Sequence, residues 1–475
     1  MPLRLSGLAK SAGMDSVSGL KDKTTEKQRH RGPINTILLS NYYLLLLLLI
    51  LLLSFGSASA ANVQVGEQDE PTGAVLLVVD GLGASYVYPE YNAYALDGSP
   101  LEGSVLFNLT GSGARVLDVR VPVPETTKSH SVLITGSEDA DPQSPGPTIF
   151  DAARAQGYLT VAVLERGDSM PVLQKMDGVL YLADNAMHGA EPVAGQRAGA
   201  PPGLSAVMQG WRDAFAGYTA SQGDAGYAGY NAWALDCAAD LVRHLAGQRF
   251  LLMVNAGAVD SAGHNLGPEG YQKAIAALDA PLGRLADACQ ENNVLLAVTA
   301  DHGMVFPGVQ GQGGHSAEQY ASRPEALRVP LVFLGPGVEE VNLAGRWSEM
   351  DIAPTMLAIL NISSCYDLPG DPLPIREGYE LRITGAPAGL ELLRGGEEVS
   401  SCPGGDCLFV GLPRGLYSLK AGGMERQVAV NGDVAVELGE KAAIPASAKK
   451  IFGVILILAI NLAGIAAIVR IWRRG

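Results

Sequence analysis

The sequence predicts an α/β fold over residues 74–365, a mostly parallel sheet with helices on both faces. Three observations carry this. Short apolar runs alternate with stretches of helical spacing, the runs are apolar along most of their length, and Asp and His residues stand directly after several of them. In such a sheet the residues just past the carboxyl ends of strands converge on one crevice. Chemistry is expected there.

Taken in order, Ala74–Val79, Leu159–Leu164, Val179–Leu182, Phe250–Val254, Val294–Val298 and Val329–Leu334 read as buried strands. Thr148–Ala155, Tyr230–Gly247, Tyr271–Gln290 and Met350–Leu360 have helical spacing, and the Gly- and Ala-rich segments Gly189–Gly203 and Gly217–Gly229 read as loops. Past Asp371 the pattern changes to short alternating runs between glycine-bearing turns, predicting a small all-β module over residues 376–440. Its turn Gly411-Leu-Pro-Arg-Gly-Leu-Tyr417 resembles surface-layer β-sandwich modules with a Leu-Pro-x-Gly-x-Tyr signature, and the module is expected to act as a spacer.

Charge and hydropathy place this block. The 475 residues hold 34 Lys+Arg and 49 Asp+Glu, a formal charge of −15. Residues 1–34 have 7 basic and 3 acidic side chains, net +4, and residues 449–475 have 5 basic and none acidic, net +5, which leaves −24 between them. A block that acidic, without a basic stripe, argues against duplex nucleic acid as a partner. The 47% apolar content is ample for a core.

Two apolar segments frame the acidic block. Tyr42–Leu53 is unbroken, follows the basic residues 1–34, and precedes Ala58-Ser59-Ala60, a small-residue spacing of the kind signal peptidase cuts. Residues 35–61 therefore fit either a cleaved signal peptide or an uncleaved signal anchor. Residues 451–469 are 19 positions without a charge, followed by Arg470, Arg473 and Arg474, and predict a transmembrane helix with a basic tail over 470–475. Basic flanks on the outer sides of both segments put the two ends in the cytoplasm and the block between them outside. The expectation is a cell-membrane protein with an extracytoplasmic catalytic domain.

Cys402 and Cys407 bracket a four-residue loop that suits a disulfide, or a metal pair for which no second Cys or His pair lies near. Cys237, Cys289 and Cys365 read as buried thiols. Asn108-Leu-Thr and Asn361-Ile-Ser fit the glycosylation acceptor pattern.

The candidate chemistry follows the strands. Asp80 ends Val78-Val79-Asp80-Gly81, and Asp301-His302-Gly303 ends a second strand. A third strand leads into Asp260-Ser-Ala-Gly-His264, a carboxylate and an imidazole four apart on one face of a turn, and His315 lies in a glycine-rich loop. A mixed Asp/His set suits zinc or manganese better than calcium. Two such ions clamp the attacking and leaving oxygens of an in-line displacement. Thr126 heads a short predicted helix, where a threonine is either a cap or a hydroxyl nucleophile beside free backbone N–H groups. Lys128 is either a phosphate contact or a solvated lysine.

Three motifs carry a resemblance: Thr126-x-x-x-His130-x-x-x-x-Thr135-Gly136, Asp260-x-x-Gly-His264-x-x-Gly-Pro268, and Asp301-His302-Gly303-Met304. Together with Asp351-Ile-Ala-Pro-Thr355, and in this order, they resemble the alkaline phosphatase superfamily in its nucleotide pyrophosphatase/phosphodiesterase branch. The resemblance implies a zinc at Asp260, His264 and His315, a second zinc at Asp80, Asp301 and His302, and Thr126 as nucleophile of a phospho-threonine that water then hydrolyses. It departs at Thr127-Lys128-Ser129, where that branch often has Phe-Pro-Asn. The sulfatases of the superfamily need a Cys-x-Pro-x-Arg motif that this chain lacks. A mutase would carry a further domain after the nucleophile, where the stretch between Gly136 and Phe250 includes Gly189–Gly203 and Gly217–Gly229, which read as loops. The expected function is hydrolysis of phosphodiesters or pyrophosphates, with a small-molecule or lipid-headgroup substrate. The alternatives are a phosphomonoesterase, a headgroup transferase, and a non-catalytic surface binding protein of the same fold.

Overall fold

A computed structural model describes residues 61–65, 70–104, 106, 113–165, 170–183, 190–197, 199–364, 366, 368–438 and scattered positions between 462 and 473. Of the segments expected at the membrane, 1–34 and 35–60 lie outside the described residues, as does most of 451–469. Among the described residues no helix is long and apolar enough to cross a membrane. Leu462, Ile465, Ile468 and Trp472, within or just past that stretch, are exposed.

Within the unit that begins at Ala60, a nine-stranded sheet forms the centre of the larger part. In spatial order its strands are Val341–Ser348, Ala114–Arg120, Arg328–Leu334, Val294–Thr299, Gly73–Val79, Phe250–Ala256, Leu159–Leu164, Gly178–Tyr181 and Val193–Gln196. All run the same way except Arg328–Leu334 and Val193–Gln196, which are antiparallel to their neighbours. Gly73–Val79, Phe250–Ala256 and Val294–Thr299 are buried at every position, because helices cover both faces of the middle of the sheet. These three adjacent strands deliver Asp80, Asp260 and Asp301 to one edge.

The structure departs from expectation where charge or length hid an element. Ala114–Arg120 was not expected as a strand. It alternates apolar residues with charges, and Asp118 is paired there with Arg120 and Arg328 across the sheet. Val341–Ser348 and Val193–Gln196 are edge strands with exposed positions and little apolar signal. The expected single helix Tyr271–Gln290 is two, Ala258–Ala276 and Asp279–Glu291. The first of these also absorbs the expected turn at Asp260. It survives Pro268 only through a kink at Gly267, whose φ of 71° other residues rarely adopt. Gly217–Gly229, read as loop, is largely helix, divided between Pro202–Tyr218 and Gly223–His244. Small residues let these helices pack closely: a Cβ on Gly229 would meet the Tyr218 carbonyl oxygen at 2.0 Å.

The smaller part holds two four-stranded sheets around their own core, which includes Leu381, Phe409, Tyr417 and Leu419. One sheet contains Gly405–Leu412, Tyr379–Ala386, Val434–Glu437 and, unexpectedly, Ala61–Gln64. Ala61–Gln64 pairs in parallel with Gly405–Leu412, Ala61 opposite Cys407. A four-residue strand whose partner lies a whole domain away has no local sequence signal. Cys402 and Cys407 form a disulfide, and Cys237 and Cys289 are buried thiols; Cys365 and Asn108 lie outside the described residues. Arg376 joins the two parts, donating to the Ala358 carbonyl at 3.1 Å and to Asp433 at 2.9 Å.

Candidate metal centre

The site begins at a tight turn. Asp80 follows its strand and is fully buried, its N–H donating to the Ala256 carbonyl at 3.0 Å. Gly81 has φ of 78°, and a Cβ there would lie 2.8 Å from Asp260 Cα, so only glycine lets these two strand ends approach. The Gly81 N–H donates to Asp301 Oδ1 at 3.0 Å, and the His302 N–H donates to the same oxygen at 2.9 Å. Asp301 Oδ2 is buried and accepts no hydrogen bond from protein. Burial pushes the Asp301 carboxyl up to about 6.

The three histidines share one orientation rule. Nδ1 of His264 lies 2.9 Å from the Gly313 carbonyl, Nδ1 of His315 2.7 Å from that of Pro124, and Nδ1 of His302 3.1 Å from that of Gly303. A carbonyl only accepts, so each Nδ1 carries the hydrogen and each neutral ring keeps a lone pair on Nε2. That is the way metal-binding histidines are usually fixed. Nε2 of His264 and of His315 stand 3.2 and 3.6 Å from Asp260 Oδ1. His302 Nε2 is 3.5 Å from both Asp80 Oδ1 and Asp301 Oδ2.

These separations exceed the roughly 2.7–2.9 Å of charge-assisted hydrogen bonds and suit atoms that share a cation. The ligand atoms of Asp80, Asp301 and His302 lie within 4.8 Å of one another, and so do those of Asp260, His302 and His315. His302 thus stands between two groups instead of belonging to one, and His264 joins through Asp260. Burial, with His302 adding to it, holds His315 down to about 4, so its ring is neutral across the ordinary pH range. Orphaned Asp301 Oδ2, lone pairs on Nε2 and a nitrogen–oxygen donor set all fit a divalent metal.

Thr126 is buried at the first position of the helix Thr126–Thr135, as expected, with its hydroxyl 3.1 Å from His302 Nε2. Lys128, read as either a phosphate contact or a solvated lysine, donates from its ammonium to the Ala140 carbonyl at 2.7 Å. Two helical steps turn a side chain by about 200°, so Lys128 leaves the helix on the side opposite Thr126.

Several supporting residues gave no sequence signal. Ser129 Oγ is 2.5 Å from the Asp301 carbonyl and also contacts Oε1 of buried Glu349. One hydroxyl hydrogen serves one acceptor, so the second must come from Glu349, whose carboxyl burial pushes well above its ordinary range. A protonated Glu349 thus donates to Ser129, which donates to the Asp301 backbone and ties the Thr126 helix to a metal-site loop. His130 has Nε2 3.2 Å from Asn255 Nδ2.

Residues 218–364 match the Metalloenzyme superfamily. The 2,3-bisphosphoglycerate-independent phosphoglycerate mutase of Vibrio vulnificus (strain YJ016) is 32% identical over 128 residues, 27% of this chain and 24% of that protein. The mutase of the same name from Caenorhabditis elegans is 35% identical over 127 residues, 26% of this chain and 22% of that protein. The chain therefore matches less than a quarter of the length of either relative. Among solved structures, the alkaline phosphatase PafA has a TM-score of 0.47 at 13% identity, covering 64% of this chain and 98% of that one. Murine ectonucleotide pyrophosphatase/phosphodiesterase 5 has a TM-score of 0.39 at 13% identity, covering 63% of this chain and 97% of that one.

Proposed function

We propose that this chain, whose residues 218–364 match the Metalloenzyme superfamily, is a two-metal hydrolase of phosphate esters, with phosphodiesters or pyrophosphates as substrates and Thr126 as nucleophile. The observation that carries the reading is the Thr126 hydroxyl 3.1 Å from Nε2 of His302, an atom that a metal would take. Asp260, His264 and His315 would hold one cation, Asp80, Asp301 and His302 the other, with zinc the best match to the donor set. Bound there, the metals lower the pKa of an oxygen nucleophile and neutralise charge on the phosphoryl group.

The chain's own residues do the rest. Thr126 Oγ1 forms a bond to phosphorus as the bond from phosphorus to the leaving oxygen breaks, giving a phospho-threonine and the leaving alcohol or phosphate. Water then forms a bond to phosphorus and the Thr126 oxygen leaves, regaining its hydrogen. The first N–H groups of the helix Thr126–Thr135 have no partner within the helix and face the transferred phosphoryl oxygens. Ser129 and Glu349 keep that helix in register with Asp301.

A transfer to an alcohol in place of water is the second reading, favoured by the identity shared with phosphoglycerate mutases over about 128 residues. The membrane anchoring belongs to the same proposal. It is supported by the 19 uncharged residues 451–469 ahead of three arginines. Relative turnover of a nitrophenyl phosphodiester, a phosphomonoester and a sulfate ester tests the reaction class. Preference for the monoester or the sulfate contradicts it.

A further inference from the structure

The helix Ala258–Ala276 carries Asp260 in its first turn and His264 one turn later, so its orientation sets two metal-binding side chains at once. A helix start leaves four N–H groups without intrahelical partners. The usual remedy is a Ser, Thr, Asp or Asn side chain at the N-cap. Here the N-cap is Gly257, which has no side chain to offer.

The donors are met from elsewhere in the fold. The Gly257 N–H donates to Glu165 Oε2 at 2.6 Å and the Ala258 N–H donates to Asn231 Oδ1 at 3.0 Å. The Asp260 N–H donates to the Asp80 carbonyl at 3.0 Å. Glu165 stands directly after the strand Leu159–Leu164 and Asn231 within the helix Gly223–His244, and each is at most 1% exposed. Tyr230, beside Asn231, donates its hydroxyl to the Glu165 carbonyl, so the two supports hold each other. Burying a carboxylate costs free energy that simple packing does not require. At a helix N-terminus the negative charge is favoured instead.

We infer that Glu165 and Asn231 are positioning residues, an external cap that aims Asp260 and His264 at the cation they share with His315. The inference rests on the reading of those three residues as metal ligands. Both supports bond to the start of the helix that carries Asp260 and His264, at the Gly257 and Ala258 N–H groups. The cap therefore acts chiefly on the site those two side chains share.

The test uses the full chain, stripped of metal and titrated with zinc against a chromophoric chelator. Visible spectra of the cobalt-substituted protein identify each site, with His264→Ala and Asp301→Asn as references. Glu165→Ala and Asn231→Ala are each expected to weaken the His264 site by roughly 10–100-fold and leave the Asp301 site at its wild-type affinity. Glu165→Gln keeps a carbonyl acceptor and is expected to recover most of the loss. Equal weakening of both sites, or no change at either, overturns the cap. If Glu165→Ala does not fold, Asn231→Ala and Glu165→Gln decide by the same criterion. Wild-type protein that binds no zinc overturns the underlying ligand reading, a result distinct from failure of the cap.

Discussion

The imidazoles of His302 and His315 stack with ring centroids 3.7 Å apart and planes 11° from parallel. Two cationic rings would not tolerate that contact, so the two are not charged together. With each Nδ1 held by a backbone carbonyl, both rings keep an Nε2 lone pair for metal binding. The geometry suits a pair of metal ligands.

Metal affinity is expected to fall as the apoprotein is acidified through pH 6. The Asp301 carboxyl, raised by burial to about 6, holds a proton below that pH, and a metal must displace it. His315, lowered to about 4, stays neutral over the same window and adds no competing proton. Chelator competition at pH 7.5, 6.5 and 5.5 measures this. Affinity that stays flat down to 5.5 removes Asp301 as a ligand.

Asp301→Asn keeps the shape of the side chain and removes its charge. Zinc affinity should drop by more than the roughly 10–100-fold typical of an outer partner, because a coordinating oxygen is altered. Calorimetric titration of the variant checks the size of the loss.

Gly81→Ala should damage both folding and metal binding. The new Cβ would meet Asp260 at 2.8 Å from a backbone with φ of 78°. A strained residue of this kind costs on the order of 1–3 kcal/mol before the clash is counted. Thermal unfolding and zinc content, measured together, should both decline; a wild-type melting temperature would show that the turn relaxes freely.

Much of this was legible in the sequence because it was local. Asp80 and Asp301 announce themselves by following fully buried apolar strands, and Asp260 and His264 by their spacing of four. Thr126 stood at the start of a helix whose end Gly136 marks. Glu349, Ser129, Glu165 and Asn231 were invisible because their roles exist only across distant elements; Ser129 and Glu349 are 220 residues apart. The contact of Lys128 with Ala140 was invisible for a related reason, since it depends on the fold of the loop after its helix. The strand Ala114–Arg120 was hidden by its charges, among them Asp118, which pairs with Arg120 on its own strand and with Arg328 on the next.

The most direct test is metal content and turnover of the wild-type and Thr126→Ala chains, side by side, on a nitrophenyl phosphodiester. The account predicts about two zinc ions per chain in both proteins. It also predicts a loss of roughly three orders of magnitude or more in turnover on removing the nucleophile. Turnover that survives in Thr126→Ala, or a wild-type chain that binds no metal, would contradict it.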